Sequence, residues 1–231
     1  MNKIKVIFMR HGESEWNQSN QFTGWQDVAL SEKGKKEASL AGKLLKKHGF
    51  SFNYAYTSML SRAIYTLWHV LEVLDELWIP IKKSWKLNER HYGALEGLNK
   101  KKIQDTYSKK QIQLWRRSFV HTPPALNITD KRYPGYDRKY VSLCEHEIPK
   151  SESLENTYHR VIPYWKNIII PMIKNKKNII VVAHGNSLRA LIKYLNNIDN
   201  DNIINLNIST GIPIVYEFSE NLCPLNYYYL K

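Results

Sequence analysis

Two short stretches carry the same arrangement of reactive groups. In "VIFMRHGES" and in "IIVVAHGNS" an apolar run ends in His-Gly, two residues before a serine. A neutral imidazole is a nucleophile towards phosphorus, and a protonated one stabilises negative charge on oxygen. In an open α/β sheet, ligands bind beyond the carboxyl ends of the strands, so His11 and His184 converge on one pocket if their strands are neighbours. Gly12 and Gly185 permit a sharp turn and a close backbone approach. Asn186 or Ser187 is expected to cap the helix that follows, whose free N–H groups attract an anion.

The nearby cations specify the anion. Arg10 precedes His11, and Arg62 lies about one turn into the helix after "YAYTS". A guanidinium fork matches the oxygens of a phosphate dianion. The combination points to phosphoryl transfer, with one neutral histidine attacking and one cationic histidine stabilising, so the two are expected to differ in protonation. Glu89, in "KLNERHYGALEG", offers the proton shuttle. Close to phosphate its protonated form is favoured, as a general acid requires. Lys100, Arg116 and Arg117 extend the positive surface. Adjacent arginines on a helix diverge by about 100° and share one ligand only near a helix end or from two sides.

These groups must be held by alternating elements. "KVIFM", "YAYT", "IPIKKSWKL", "NIIVVA" and "PIVYEF" read as strands or extended segments, the last of them as the final strand. Helices are expected over "LSEKGKKEASLAGKLLKKHG", capped by Ser31 and stopped by Gly49, and over "SMLSRAIYTLWHVLEVLDE" and "SLRALIKYLNN". "SLENTYHRVIPYWKNIIIPMIK" is helical but kinked or broken by Pro163 and Pro171. The pattern predicts an α/β fold: a mostly parallel central sheet with helices on both faces. Residues 98–150, including "TPPALNITDKRYPGYDRKY", lack periodicity and are expected to form an irregular or helical lid inserted over the carboxyl edge, within a single domain spanning 1–231.

Composition sets outer bounds. The 231 residues carry a formal charge of +13, from 34 Lys and Arg against 21 Asp and Glu. Such a balance suits small phosphorylated partners. The lysines are dispersed among many Asn and Ile, a compositional bias, so neither nucleic acid nor a membrane is an expected partner. No apolar run approaches the roughly 20 residues that span a bilayer. Two distant cysteines, Cys144 and Cys223, suit a reducing compartment, and the protein is expected in the cytoplasm. "CEHE" at 144–147 reads as a solvated loop, and no H-E-x-x-H or paired-cysteine motif is present.

The longer segments resemble the phosphoglycerate mutase family of the histidine phosphatase superfamily. They are "RHGES", "FTGWQDVALSEKG", "AYTSMLSRAI", "SWKLNERHYGALEGLNK", "WRRSF", "HTPP", "RYPGYD", "RVIPYW" and "AHGNSLRALIKYL", and together they cover nearly the whole chain. The resemblance implies that His11 becomes phosphohistidine and that His184 stabilises the moving phosphoryl group. It implies that Arg10 and Arg62 clamp that group beside Asn17, and that Glu89 is acid and base. Ser14, Thr23, Gly24, Tyr92, Lys100, Arg116, Arg117, Gly185 and Asn186 would hold the carboxylate and the stationary phosphate. It also implies interconversion of 3-phosphoglycerate and 2-phosphoglycerate, priming by 2,3-bisphosphoglycerate, no metal, and a homodimer, with a tetramer as the alternative. Relatives often continue into a mobile Lys- and Ala-rich tail where this chain stops at "NYYYLK". On that ground the bisphosphate is expected to be held less firmly and hydrolysis to be greater. A phosphatase of the same superfamily and a non-catalytic sensor of phosphorylated metabolites are the competing readings.

Overall fold

A computed structural model describes residues 3–175 and 177–231. The elements that frame the site are, in chain order, β1 (Ile4–Arg10), α1 (Glu15–Gln18), α2 (Glu32–Lys47), β2 (Tyr54–Thr57), α3 (Ser61–Leu74), β3 (Ile81–Lys83), α4 (Lys109–Arg117), α5 (Leu154–Tyr164), α6 (Ile170–Lys174), β4 (Ile179–Ala183), α7 (Gly185–Leu195), β5 (Pro213–Phe218) and β6 (Pro224–Tyr229). The strands form one sheet in the order β3-β2-β4-β1-β5-β6. The pairs β3–β2, β2–β4 and β4–β1 are parallel, whereas β5 runs antiparallel to both β1 and β6. The mostly parallel sheet read from the sequence is therefore present, with an antiparallel edge.

The apolar runs are continuous because both faces of the central strands are covered. Within β1, side chains alternate between the two layers. Val6 and Phe8 join a cluster with Val161, Trp165, Leu188, Leu191 and Tyr216, beneath α5 and α7. Ile7 and Met9 face the other way, against Ala41, Leu45, Leu67, Val70 and Leu71 of α2 and α3. No helix among the described residues is long and apolar enough to cross a membrane.

Several local expectations are corrected. "PIVYEF" is not the last strand: "PLNYYY" adds β6, whose side chains are almost all exposed. Its contacts with the body include the stacking of Tyr227 on Tyr216 and the packing of Tyr229 on the core, so the strand carries no clear core pattern, and its Pro is tolerated at the first position. "IPIKKSWKL" divides into the short β3 and a 3₁₀ turn at Trp85–Leu87. The helix predicted from Ser58 begins at Ser61, and the preceding residues form the turn out of β2. His184, rather than Asn186 or Ser187, is the residue at the N-terminal boundary of α7, and Ser187 accepts a hydrogen bond from the His184 N–H through its Oγ. Between α5 and α6 the chain winds as a π-turn over Trp165–Ile169, because Pro171 has no N–H to continue the α-helical ladder.

The lid segment contains more order than its composition suggests. Ser108 caps α4, which buries Ile112 and Trp115. With Phe22, Leu95 and Ile103 they form a small core of their own, separate from the two main layers. "CEHE" is a solvent-facing 3₁₀ turn with Cys144 exposed, and Cys223 is also exposed and unpaired.

The loop after β1 is pressed against the first turn of α2. A β-carbon at Gly12 would lie 2.3 Å from the Gly34 carbonyl oxygen, and one at Gly34 would lie 2.0 Å from the Glu13 carbonyl oxygen. Helix propensity alone favours alanine over glycine by about 1 kcal/mol. The clash with backbone outweighs it, so Gly34→Ala should lower unfolding free energy by roughly 2 kcal/mol. Urea denaturation checks this, and a neutral or stabilised variant would contradict the tight docking of this loop.

Candidate active site

The parallel register Arg10↔Ala183 places the residues that follow, His11 and His184, side by side at the carboxyl end of the sheet. The His11 N–H donates to the Ala183 carbonyl at 3.0 Å, which extends the ladder by one bond. The two imidazole centroids are 4.9 Å apart with the rings inclined at 61°. Both side chains are buried.

Hydrogen bonding fixes what each ring can do. His11 Nδ1 lies 2.6 Å from the Gly12 carbonyl oxygen. A carbonyl only accepts, so Nδ1 carries the proton and Nε2 keeps its lone pair. Burial, and then the charges of Arg62 and Arg10, hold His11 well below the ordinary imidazole range, while the Gly12 bond opposes them. The outcome is a neutral nucleophile with a defined reactive nitrogen. His184 Nε2 is hydrogen-bonded to Ser58 Oγ at 2.7 Å, and its buried Nδ1 has no partner.

The two histidines do not differ in protonation as expected. Burial also lowers His184, followed by Arg62, His11 and Arg10. A cationic His184 is not required, however. When the Ser58 hydroxyl donates to Nε2, a neutral His184 carries its proton on Nδ1 and remains a hydrogen-bond donor.

Cations surround the pair. Arg10 donates from NH1 to the Ile208 carbonyl, and its buried Nε has no partner. Arg62 is fully buried; NH1 and NH2 bond the carbonyls of Gln26 and Gly24, and Nε is left over. Burial pulls the Arg62 guanidinium down to about 10, with Glu89 and Asp27 acting in its favour. Arg62 therefore braces the loop at 23–27 as well as facing the histidines. Gly24 adopts a φ of 54°, and a β-carbon there would collide with the buried Glu96 carboxylate. Glu96 Oε1 in turn accepts the N–H groups of Trp25 and Tyr92.

Glu89 is the carboxylate on this wall. Its Oε1 accepts the backbone N–H groups of Arg90 and Asn186, each at 2.9 Å, so the loop that carries it is tied to the N-terminus of α7. Asn186 also donates from Nδ2 to the Tyr92 hydroxyl. Burial raises Tyr92, but Arg90 and Lys100 outweigh it and the phenol ends below its usual value. Lys100 is lowered by burial and by Arg116 and Arg10. Arg117 is lowered by burial and by Arg116.

Arg10, His11, Asn17, Phe22, Thr23, Gly24, Arg62, Glu89, Tyr92 and Lys100 enclose a cavity of about 60 Å³. That is roughly the share of two liquid waters, at about 30 Å³ each. Arg116 and Arg117 are the last two residues of α4, the helix-end placement that lets neighbouring arginines serve one ligand. Ser14 is buried outside this lining, where its Oγ caps α1 by accepting the Asn17 N–H. Gly185 opens α7 beside Arg10 and Glu89.

Other site residues were not singled out by sequence reasoning. Arg90 is fully buried, stacks on Tyr92 at 4.6 Å, and leaves Nε and NH1 without partners. Its adjacency to Glu89 in "NERHYG" was the available signal. Arg189 donates to Asn186 Oδ1 and to the carbonyls of Arg117 and Ile203, and burial pulls it down to about 9. Its spacing of three from Asn186 on one helix face would have found it. Ser58 stood in a quoted motif without a role. Buried donors of this kind are costly unless a ligand satisfies them, and so many guanidiniums together fit a polyanion.

A family model described as the histidine phosphatase superfamily, branch 1, matches residues 6–131 and 127–229. A 2,3-bisphosphoglycerate-dependent phosphoglycerate mutase of Buchnera aphidicola subsp. Cinara cedri (strain Cc) is 62% identical over 230 residues, covering 100% of each chain. Among solved structures, a mycobacterial glucosyl-3-phosphoglycerate phosphatase with VO3 superposes with a TM-score of 0.74 at 19% identity, over 97% of this chain and 96% of that one. The α-ribazole phosphatase of Shigella flexneri gives 0.69 at 19% identity, over 96% and 94%. At this identity the two structures share the fold.

The imidazole environment has a measurable consequence. Nitrogen NMR should show His11 neutral at pH 6 with its proton on Nδ1, and Arg62→Met should move its midpoint upward by removing a repelling charge. The sign for stability follows from linkage. The unfolded chain takes up protons on these histidines below about pH 6.5 and the folded chain does not. Unfolding free energy should therefore fall as pH drops below that value, and His11→Gln should flatten the decline. A protonated His11 at pH 6 would contradict the assignment.

Proposed function

The chain belongs to the histidine phosphatase superfamily, branch 1, and from that premise we propose that it interconverts 3-phosphoglycerate and 2-phosphoglycerate through a phosphohistidine at His11. The observation that carries this reading is the neutral His11, with Nε2 free, set against Glu89 within a ring of buried guanidiniums. The full-length 62% identity to a mutase supports the same activity. It is an isomerase of glycolysis and gluconeogenesis.

2,3-Bisphosphoglycerate supplies the phosphoryl group that primes His11. The partnerless donors of Arg10, Arg62, Arg90 and Arg189 fit so highly charged a molecule. His11 then passes the phosphoryl group to the C2 hydroxyl of 3-phosphoglycerate, the N–P bond breaking as the new O–P bond forms, and Glu89 takes the hydroxyl proton. Arg10, Arg62 and His184 Nδ1 bear on the charge of the moving group. Asn17, Thr23 and Gly24 line the same wall. After reorientation His11 takes the C3 phosphoryl group and Glu89 returns the proton to the C3 oxygen. The product is 2-phosphoglycerate, and the enzyme is primed again. Tyr92, Lys100, Arg116, Arg117 and Asn186 hold the carboxylate and the stationary phosphate, with Ser14 shaping the loop beneath.

The small cavity gives the lid its purpose. A cavity of about 60 Å³ leaves little room for water beside the phosphohistidine, and the segment carrying α4 is placed in this reading as the cover that keeps it so. The reading includes a homodimer, with a tetramer as the alternative, across α3 and the turn after it, where Tyr65, Trp68 and Trp78 are exposed, and operation in the cytoplasm.

Phosphorus NMR with 3-phosphoglycerate, with and without a trace of 2,3-bisphosphoglycerate, tests the reading. Growth of 2-phosphoglycerate, accelerated by the trace, is expected. Inorganic phosphate alone would overturn the mutase assignment in favour of a phosphatase. His11→Ala should reduce turnover by roughly 10⁴-fold or more, and Glu89→Gln by about 10² to 10⁴.

A further inference from the structure

Glu89 is held by its backbone as closely as by its carboxylate. Arg160, on α5, reaches under the loop that carries it. NH1 donates to the carbonyls of Lys86 and Asn88 at 2.9 and 3.0 Å, and NH2 donates to the Glu89 carbonyl at 2.9 Å. The Glu89 carbonyl accepts a second bond from Trp25 Nε1 at 2.7 Å, so both of its lone pairs are engaged. The same guanidinium forms a two-pronged pair with Glu152, Nε to Oε1 at 2.7 Å and NH2 to Oε2 at 2.9 Å. Glu152 Oε2 accepts the His91 N–H, and the Glu152 N–H donates to the His91 carbonyl. Both partners are buried.

A buried ion pair is weak evidence for stability, because desolvation offsets the attraction and an apolar pair of similar volume often serves as well. What an apolar pair cannot do is bond the carbonyls of Lys86, Asn88 and Glu89 and the N–H of His91, on both sides of the Glu89 side chain. Glu152 also stands where the lid segment returns to the body, directly before α5.

We propose that the Glu152–Arg160 pair is the positioning device for Glu89: it clamps residues 86–91 to the point where the lid rejoins the fold and so sets the height of the proton-transferring carboxylate. This rests on the reading of Glu89 as acid and base. Arg160 is paired with Glu152 and its charge also bears on His184, but the contribution proposed for it at Glu89 is geometric. Loss of the fork lets the loop shift, and misplacement of a reacting group by about 1 Å costs on the order of 100-fold.

The test compares two reactions at His11. Mutase turnover of 3-phosphoglycerate needs a proton moved by Glu89. Phosphorylation of His11 by phosphoramidate does not: the nitrogen already carries its proton, the P–N bond breaks with its electron pair going to nitrogen, and neutral ammonia leaves. Arg160→Lys keeps the charge but cannot reach all the carbonyls. It should lower mutase kcat by about 10- to 100-fold with KM little changed, and leave phosphoramidate labelling of His11 within about twofold. In a Glu89→Gln background it should add no further loss. If Arg160→Lys does not fold, the neutral pair Glu152→Gln/Arg160→Gln carries the same comparison without stranding a charge. An equal fall in both reactions, or a full additional loss on top of Glu89→Gln, would overturn the proposal. Glu89→Gln with undiminished mutase kcat would instead overturn the acid–base reading beneath it.

Discussion

The parallel pairing of β1 with β4 is the constraint on which the site depends. One register, Arg10 beside Ala183, decides that two histidines 173 residues apart in sequence (184 − 11) end with their rings 4.9 Å from one another. A slip of one residue would turn every β1 side chain to the opposite layer, exchanging Val6 and Phe8 with Ile7 and Met9. Register is thus enforced by both cores at once. The catalytic geometry inherits its precision from apolar packing, which contains no catalytic residue. The glycines at 12 and 34 then carry that precision outward, by fixing the distance between the His11 loop and α2.

Around this frame the protein concentrates positive charge where it is least comfortable. Arg62, Arg90 and Arg189 are almost completely buried and retain donor atoms without partners. Such groups destabilise a fold unless something anionic satisfies them. Glu89, Asp27 and Glu96 stand near Arg62, yet these donors remain without partners among the described residues, which fits an anionic ligand. Burial first, and then the same crowding of charge, holds both imidazoles well below their ordinary range.

The reactive centre was legible because its signals are local. His-Gly after an apolar run, repeated at 11 and 184, survives translation into structure: strand, turn, helix, and a shared edge. Glu89 and Lys100 were found from loop position and charge. The helix boundaries near the site were less legible. Asn186 and Ser187 have good capping chemistry, yet the helix boundary falls two residues before Asn186, at His184. The mostly exposed β6 left no periodicity to read, since its contacts are a few tyrosine rings, such as Tyr227 on Tyr216, rather than a buried face. Arg160 and Glu152 were invisible for a different reason: each bonds backbone atoms far along the chain, and nothing in local spacing records a long-range carbonyl. The cationic His184 expected from the sequence is opposed by burial first, and then by the charges of Arg62, His11 and Arg10, none of which local spacing records.

The small core around α4 has a bearing on the cavity. Phe22 belongs both to that core and to the cavity wall. A change in the packing of α4 therefore reaches the cavity through one shared ring. The charges of Arg116 and Arg10 oppose those of Lys100 and Arg117. That crowding is a store of repulsion which an anion would relieve, and which rising ionic strength weakens where the groups meet solvent.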